Sequence, residues 1–192
     1  MKFFTWKTLF SQTGTEIYEI SEKIGQYPDA IITNKSLDEL ESINPDLLKE
    51  AFNRFVFLPR KPSVEEYNTA LGHATIVTLH GYLKILPPEV CERYNIYNGH
   101  PALINLYPAL KGKDPQKRIW DAKGYLYHGH VIHEATKEVD AGKIVSVARF
   151  ANPNIQEHFK TLEKYSNYLR IWAIQNWVNF LKDKVINNTY DY

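Results

Sequence analysis

A chain of 192 residues is the length of one domain, and at 44% hydrophobic against 23% charged residues it is too apolar to be disordered. Its 23 Lys and Arg residues balance 22 Asp and Glu for a net charge of +1, which excludes a global field that would gather nucleic acid or anionic lipid. No apolar run approaches the roughly 18 residues that span a bilayer. Lys7 interrupts the N-terminus where a signal peptide needs an apolar core, and Cys91, the sole cysteine, cannot form an internal disulfide. The expectation is a cytoplasmic protein, monomer or homodimer, with neither nucleic acid nor membrane as partner.

Lys2–Phe10 opens the chain as a candidate strand, followed by a helix at Thr15–Gly25 that Thr15 can cap. Strands rich in Ile, Val, Phe and Tyr then recur at Ala30–Thr33, Phe55–Leu58, Ala74–Leu79 and Asn95–Asn98. Helices are expected between them at Asp46–Phe52, Ser63–Leu71 and Pro88–Arg93, the second with Ser63 and Glu66 as a capping box. After Asn98 the pattern alternates over Gly124–Thr136 and Gly142–Phe150 around the turn residues Asp140-Ala141-Gly142, which predicts a hairpin. The tail Ile155–Lys184 carries Leu162, Tyr165, Leu169, Trp172, Ala173, Trp177 and Phe180 at steps of three or four, widened by Ile171, Ile174 and Val178, the stripe of a core-facing helix. Strand and helix in alternation predict an α/β fold: a Rossmann-like open, mostly parallel sheet with helices on both faces and a late antiparallel hairpin. One domain over residues 1–192 is expected, with a core at about 1–150 and a packing helix at about 155–184.

Ligands of such sheets bind beyond the carboxyl ends of the strands, which directs attention to Ser11–Thr15, His80–Leu86 and Asn98–Leu103. In Asn98-Gly99-His100-Pro101 an extended backbone points the amide and the imidazole to one side, and Pro101 keeps His100 extended. The pair reads either as two donors for an oxyanion or as a loop that caps its own backbone. His128, His130 and His133 raise the question of a metal, but their spacing matches no zinc motif and no carboxylate or cysteine sits at a typical interval, so none is expected. Histidines hydrogen-bonded within a strand are the plainer reading, and Asp140 alone reads as a turn residue. The loop before the first helix offers an anion free amides, but a single glycine makes it neither a Walker loop nor a dinucleotide fingerprint, and Glu16 opposes an anion there.

Taken together, Ser11–Ile17, Gly81–Leu86, Asn98–Leu103 and Gly129–Gly142 resemble, in order and spacing, four blocks of the folate-dependent formyltransferase family, in particular its short, glycinamide ribonucleotide transformylase-like members. The resemblance covers roughly residues 8–150. It implies transfer of a formyl group from 10-formyltetrahydrofolate to a primary amine of a small molecule, of the glycinamide ribonucleotide or sugar-nucleotide type. It places Asn98, His100 and Asp140 on the catalytic positions, with His133 in support. Asp140 would favour the imidazolium of His100 and position a water for proton transfer. Leu83, Lys84, Ile85, Leu86, Thr136 and Glu138 fall on the folate side, and Gly14, Thr15 and Pro101 on the substrate side. Gly14-Thr15-Glu16 stands where the purine members have Gly-Ser-Asn, Val64 (near Lys61) where they have a phosphate-binding arginine, and Val131 where they have a serine. No ribose-binding acid is evident around Tyr165–Tyr168. The acceptor is therefore open, and so are two alternatives: a 10-formyltetrahydrofolate hydrolase using the same three residues, and a folate-binding module without catalysis.

Overall fold

The computed structural model describes residues 4–187, with side chains through Lys184, as two compact units. The first runs to Asn98 and takes in the described residues from Lys182 onward; the second is Gly99–Leu181. In the first unit, strands β1 (Trp6–Phe10), β2 (Ala30–Thr33), β3 (Phe55–Phe57), β4 (Ile76–Leu79) and β5 (Ile96–His100, its last two residues in the second unit) lie parallel in the order β3-β2-β1-β4-β5. β2 and β4 are buried along their whole length, which is why they read as continuous runs of Ile, Val and Leu. The strand expected at Lys2–Phe10 is shorter, and residues 2–3 of it lie outside the described residues.

Helices α1 (Thr15–Ile24), α2 (Pro45–Ala51), α3 (Val64–Leu71) and α4 (Pro88–Arg93) form the crossovers. Phe10, Ile17, Ile31, Ile43, Leu47 and Ala51 make one dry cluster, each large apolar member contributing about 1.5–3 kcal/mol by its burial. The capping box of α3 is present: the Glu66 N–H donates to Ser63 Oγ (3.2 Å) and the Ser63 N–H to Glu66 Oε2 (2.7 Å). The cap expected for α1 is not. Gly14 holds the N-cap position with φ 72° and no side-chain cap, and Thr15 is already helical. A 3₁₀ turn at Leu37–Ser42 precedes α2.

In the second unit, β6 (Tyr127–Glu134) and β7 (Ile144–Ala151) pair antiparallel, with a bulge between Ile132 and His133, so the expected hairpin is present. It is preceded by α5 (Pro115–Ala122), which the polar stretch around it did not suggest. The expected tail helix is two helices, α6 (Ile155–Phe159) and α7 (Leu162–Asn187). They part at Lys160, which takes a left-handed φ of 64°, and α7 restarts as the Lys164 N–H donates to Thr161 Oγ1 (3.2 Å). Tyr165 and Leu169 of α7 pack with Leu103, Ile119, Val131 and Phe159. Ile171, expected on the buried stripe, is 63% exposed. The α/β fold, mostly parallel with a late antiparallel pair, is as the sequence predicts.

Candidate active site

β5 ends on His100, which is buried, and Pro101 follows directly. Asn98 and His100 stand two residues apart on this strand, the spacing that sends both side chains to one side. Glycine is required between them. A Cβ on Gly99 would lie 2.6 Å from His130 Nε2 and 2.8 Å from Trp177 Nε1.

Asp140 reaches the same place from the β6–β7 connection. Its φ of 52° turns the chain sharply, and at Gly142 a Cβ would sit 1.9 Å from the Glu134 carbonyl. The buried carboxylate gathers three donors. Oδ2 faces His100 Nδ1 at 3.2 Å and accepts from the Gly112 N–H at 2.8 Å, while Oδ1 faces His133 Nε2 at 3.3 Å. The far nitrogen of each ring meets a backbone carbonyl: His100 Nε2 lies 2.9 Å from Leu110 O, and His133 Nδ1 lies 2.9 Å from Glu134 O. With an oxygen at both ring nitrogens, His100 satisfies both contacts only when each carries a proton.

Burial pushes the Asp140 carboxyl up, but hydrogen bonds from His100, His133 and the Gly112 N–H, with the charge of His100, outweigh it and hold the group well below the usual carboxylate range. In the unfolded chain an aspartate titrates near about 3.9. The stability this carboxylate contributes is therefore complete above that value and is lost as pH falls past it toward the depressed folded value. Between about pH 5 and pH 3, the melting temperature is expected to drop more steeply for the wild type than for Asp140→Asn. Parallel melting curves over that interval would remove Asp140 from the acid response.

Thr136 and Glu138 lie exposed in the loop before Asp140, where Thr136 Oγ1 donates to the Glu138 carbonyl (3.0 Å). The other two strand histidines diverge from this cluster. His128 contacts Tyr165 Oη (2.9 Å) and the carbonyls of Tyr125 and Asn152, and His130 Nδ1 meets the Asn176 amide (3.1 Å). Among the described residues no three His, Cys, Asp or Glu side chains are placed to hold a metal ion.

The remaining candidates belong to the first unit. Thr15 Oγ1 pairs with Thr13 Oγ1 (2.9 Å) beside Gly14. Glu16, expected to repel an anion, faces His80 Nδ1 at 3.2 Å. Ser11 Oγ donates to Asn34 Oδ1 (2.6 Å) and accepts from the Leu83 N–H (3.1 Å), which ties the first loop to Gly81–Leu86. Leu83 and Ile85 are 69% and 75% exposed, Lys84 is exposed, and Leu86 is buried. The groups that sequence reasoning missed are Leu110 O and Gly112 N–H. They are backbone atoms, and backbone contacts leave no mark in residue type.

The model of the formyl transferase family matches residues 30–171. The phosphoribosylglycinamide formyltransferase of Haemophilus influenzae is 36% identical over 87 residues, 43% of this chain and 39% of that protein. The methionyl-tRNA formyltransferase of Thermotoga neapolitana is 30% identical over 137 residues, 71% of this chain and 34% of that protein. The matches thus span well under half the length of these curated relatives. The crystal structure of the phosphoribosylglycinamide formyltransferase of Anaplasma phagocytophilum shares the fold, with a TM-score of 0.78 at 21% identity over 97% of this chain and 89% of that one. The family match takes in both the strand that ends on His100 and the turn that carries Asp140, and the chain belongs to the formyl transferase family.

Proposed function

We propose that this chain transfers a formyl group from 10-formyltetrahydrofolate to a primary amine of a small molecule, with Asn98, His100 and Asp140 as the working residues. The observation that carries the reading is the buried pair of His100 and Asp140, with the second imidazole of His133 on the same carboxylate. The co-substrate supplies a one-carbon carbonyl whose oxygen gains negative charge as the amine attacks. Leu110 O fixes the His100 ring through Nε2. The ring's Nδ1–H faces Asp140 at 3.2 Å, so the imidazolium acts on this oxygen through its positive charge, and the Asn98 amide is the direct donor.

Asp140 is too weak a base to hold a proton for long, given how low its pKa lies. Its role is to keep the imidazole charged and oriented and, jointly with that imidazole, to hold a water that passes the amine proton to the departing folate nitrogen as its bond to the formyl carbon breaks. In the first unit, the exposed Leu83 and Ile85 offer apolar surface suited to a flat ring, with Lys84 and the buried Leu86 beside them in sequence; Thr136 and Glu138 are the candidates for folate contacts in the second. The family match, residues 30–171, takes in most of each unit, which supports one catalytic domain. Gly14, Thr15 and Pro101 are assigned to the acceptor. The phosphoribosylglycinamide formyltransferase relative supports a glycinamide ribonucleotide-type amine, with an amino-sugar nucleotide as the other candidate.

Purified protein incubated with 10-formyltetrahydrofolate and a panel of both amine types is expected to release tetrahydrofolate only when an acceptor is present. Formate release without any amine would replace transfer by hydrolysis. Folate binding without turnover would leave a binding module.

A further inference from the structure

We infer that Arg118 is a positioning residue for this site, a clamp on the backbone strap that holds both His100 and Asp140. The inference rests on the catalytic reading of those two residues, but its geometry is independent of it. From α5, the Arg118 guanidinium donates to three successive carbonyls: Nη1 to Ala109 O (2.7 Å), and Nη2 to Leu110 O (2.9 Å) and Lys111 O (2.7 Å). One of these three carbonyls, and the N–H that follows the last of them, touch the site. Leu110 O is also the partner of His100 Nε2 (2.9 Å), and the Gly112 N–H donates to Asp140 Oδ2 (2.8 Å). One side chain therefore fixes the strap from which both the imidazole and the carboxylate are aimed.

The Leu110 side chain is buried in the core, and the N–H groups of Leu110 and Lys111 close the turn onto Tyr107 O (2.9 Å) and Pro108 O (3.3 Å), so it is the carbonyls of the strap that call for Arg118. The strap leaves a single 3₁₀ turn at Pro108–Leu110, and Lys111–Asp114 continues as a loop. The last carbonyls of such a turn are left without intrahelical donors, and a planar fork answers three of them at once from two nitrogens, a geometry that a lysine ammonium, with its three donors on one atom, does not reproduce. A guanidinium on Leu110 O still leaves a lone pair for His100, since a carbonyl accepts twice. Without the fork, Leu110 O and Gly112 N–H drift. The imidazole then loses its anchor and the carboxylate one of its three donors, and a displacement of about 1 Å at a reacting group costs on the order of 100-fold.

A residue that merely closed a surface turn would change stability and leave His100 as it was. The readout is therefore the Nε2-bound proton of His100, followed by NMR in [¹⁵N]histidine-labelled full-length protein and assigned by its loss in His100→Asn. Buried and bonded to Leu110 O, this proton is expected to exchange slowly with water in the wild type. In Arg118→Met its exchange is expected to accelerate at least about 10-fold, and Arg118→Lys, which keeps the charge but not the fork, is expected to rescue it only in part. With the amine that turns over, kcat falls about 10- to 100-fold in Arg118→Met while KM for 10-formyltetrahydrofolate stays within about twofold. Unchanged exchange in both folded variants overturns the clamp, whatever the activity shows. Loss of a cooperative unfolding transition in both variants also overturns it, by making Arg118 a folding residue. An absence of turnover with every amine, with exchange accelerated as expected, supports the clamp and removes only the proposed reaction.

Discussion

Asp140→Asn protein is expected to fold and to turn over about 100- to 10,000-fold more slowly than wild type. The substitution is isosteric, and the amide finds one workable orientation. Its oxygen takes the place of Oδ2, which accepts from the Gly112 N–H and faces His100 Nδ1. Its NH₂ then faces His133 Nε2, and His133 accommodates it by keeping its proton on Nδ1, toward Glu134 O. The hydrogen bonds thus survive and the charge does not. A neutral amide cannot stabilise an imidazolium, so under the proposed reaction His100 loses the partner that would support its charge. The stability cost should not exceed the roughly 1–3 kcal/mol of one mismatched buried contact. Asp140→Ala, which strips the buried charge partner altogether, is expected to cost about 3–5 kcal/mol. Steady-state turnover with urea unfolding on the same samples separates the two effects. Activity within about threefold of wild type in a well-folded Asp140→Asn protein would sink the assigned role.

Much of this arrangement is legible in the chain because it is written in side chains. Ala30–Thr33 and Ile76–Leu79 are short runs of buried residues, so their composition alone marks strands. Ser63 and Glu66 stand at capping-box spacing and form one. The two-residue step from Asn98 to His100 survives because β5 runs through both. Where the sequence misleads, a backbone preference is at work. Gly14, not Thr15, starts α1 because the chain enters the helix through a left-handed residue. Lys160, an ordinary helix former, breaks the tail because it too is left-handed there. The bulge at Ile132 and His133 breaks the alternation of β6, and the histidine beyond it reaches the Asp140 carboxylate. The strap from Ala109 to Gly112 was invisible for a stronger reason, since it serves the site through a carbonyl and an N–H that any residue would supply.

Replacing His100 with alanine is the more direct test of the chemistry, with an expected loss of about 100- to 1,000-fold in turnover, or roughly 2.7–4 kcal/mol of transition-state stabilisation. The scaffold around the ring is built to survive its removal. Leu110 O keeps its hydrogen bond from Arg118, and Asp140 keeps those from His133 and the Gly112 N–H, so neither buried group is left without a partner. Unfolding free energy is expected to drop by about 1–3 kcal/mol, the scale of a lost buried hydrogen-bonded contact. The informative comparison is the double variant. If Asp140 acts through His100, then once the imidazole is gone the carboxylate has nothing left to charge or orient. His100→Ala/Asp140→Asn should then be no more than about threefold slower than His100→Ala alone, far from the product of the two single losses, the pattern of residues that work as one unit. Losses that multiplied would mean that Asp140 meets the substrate on its own account, and the division of labour between the two side chains would have to be redrawn.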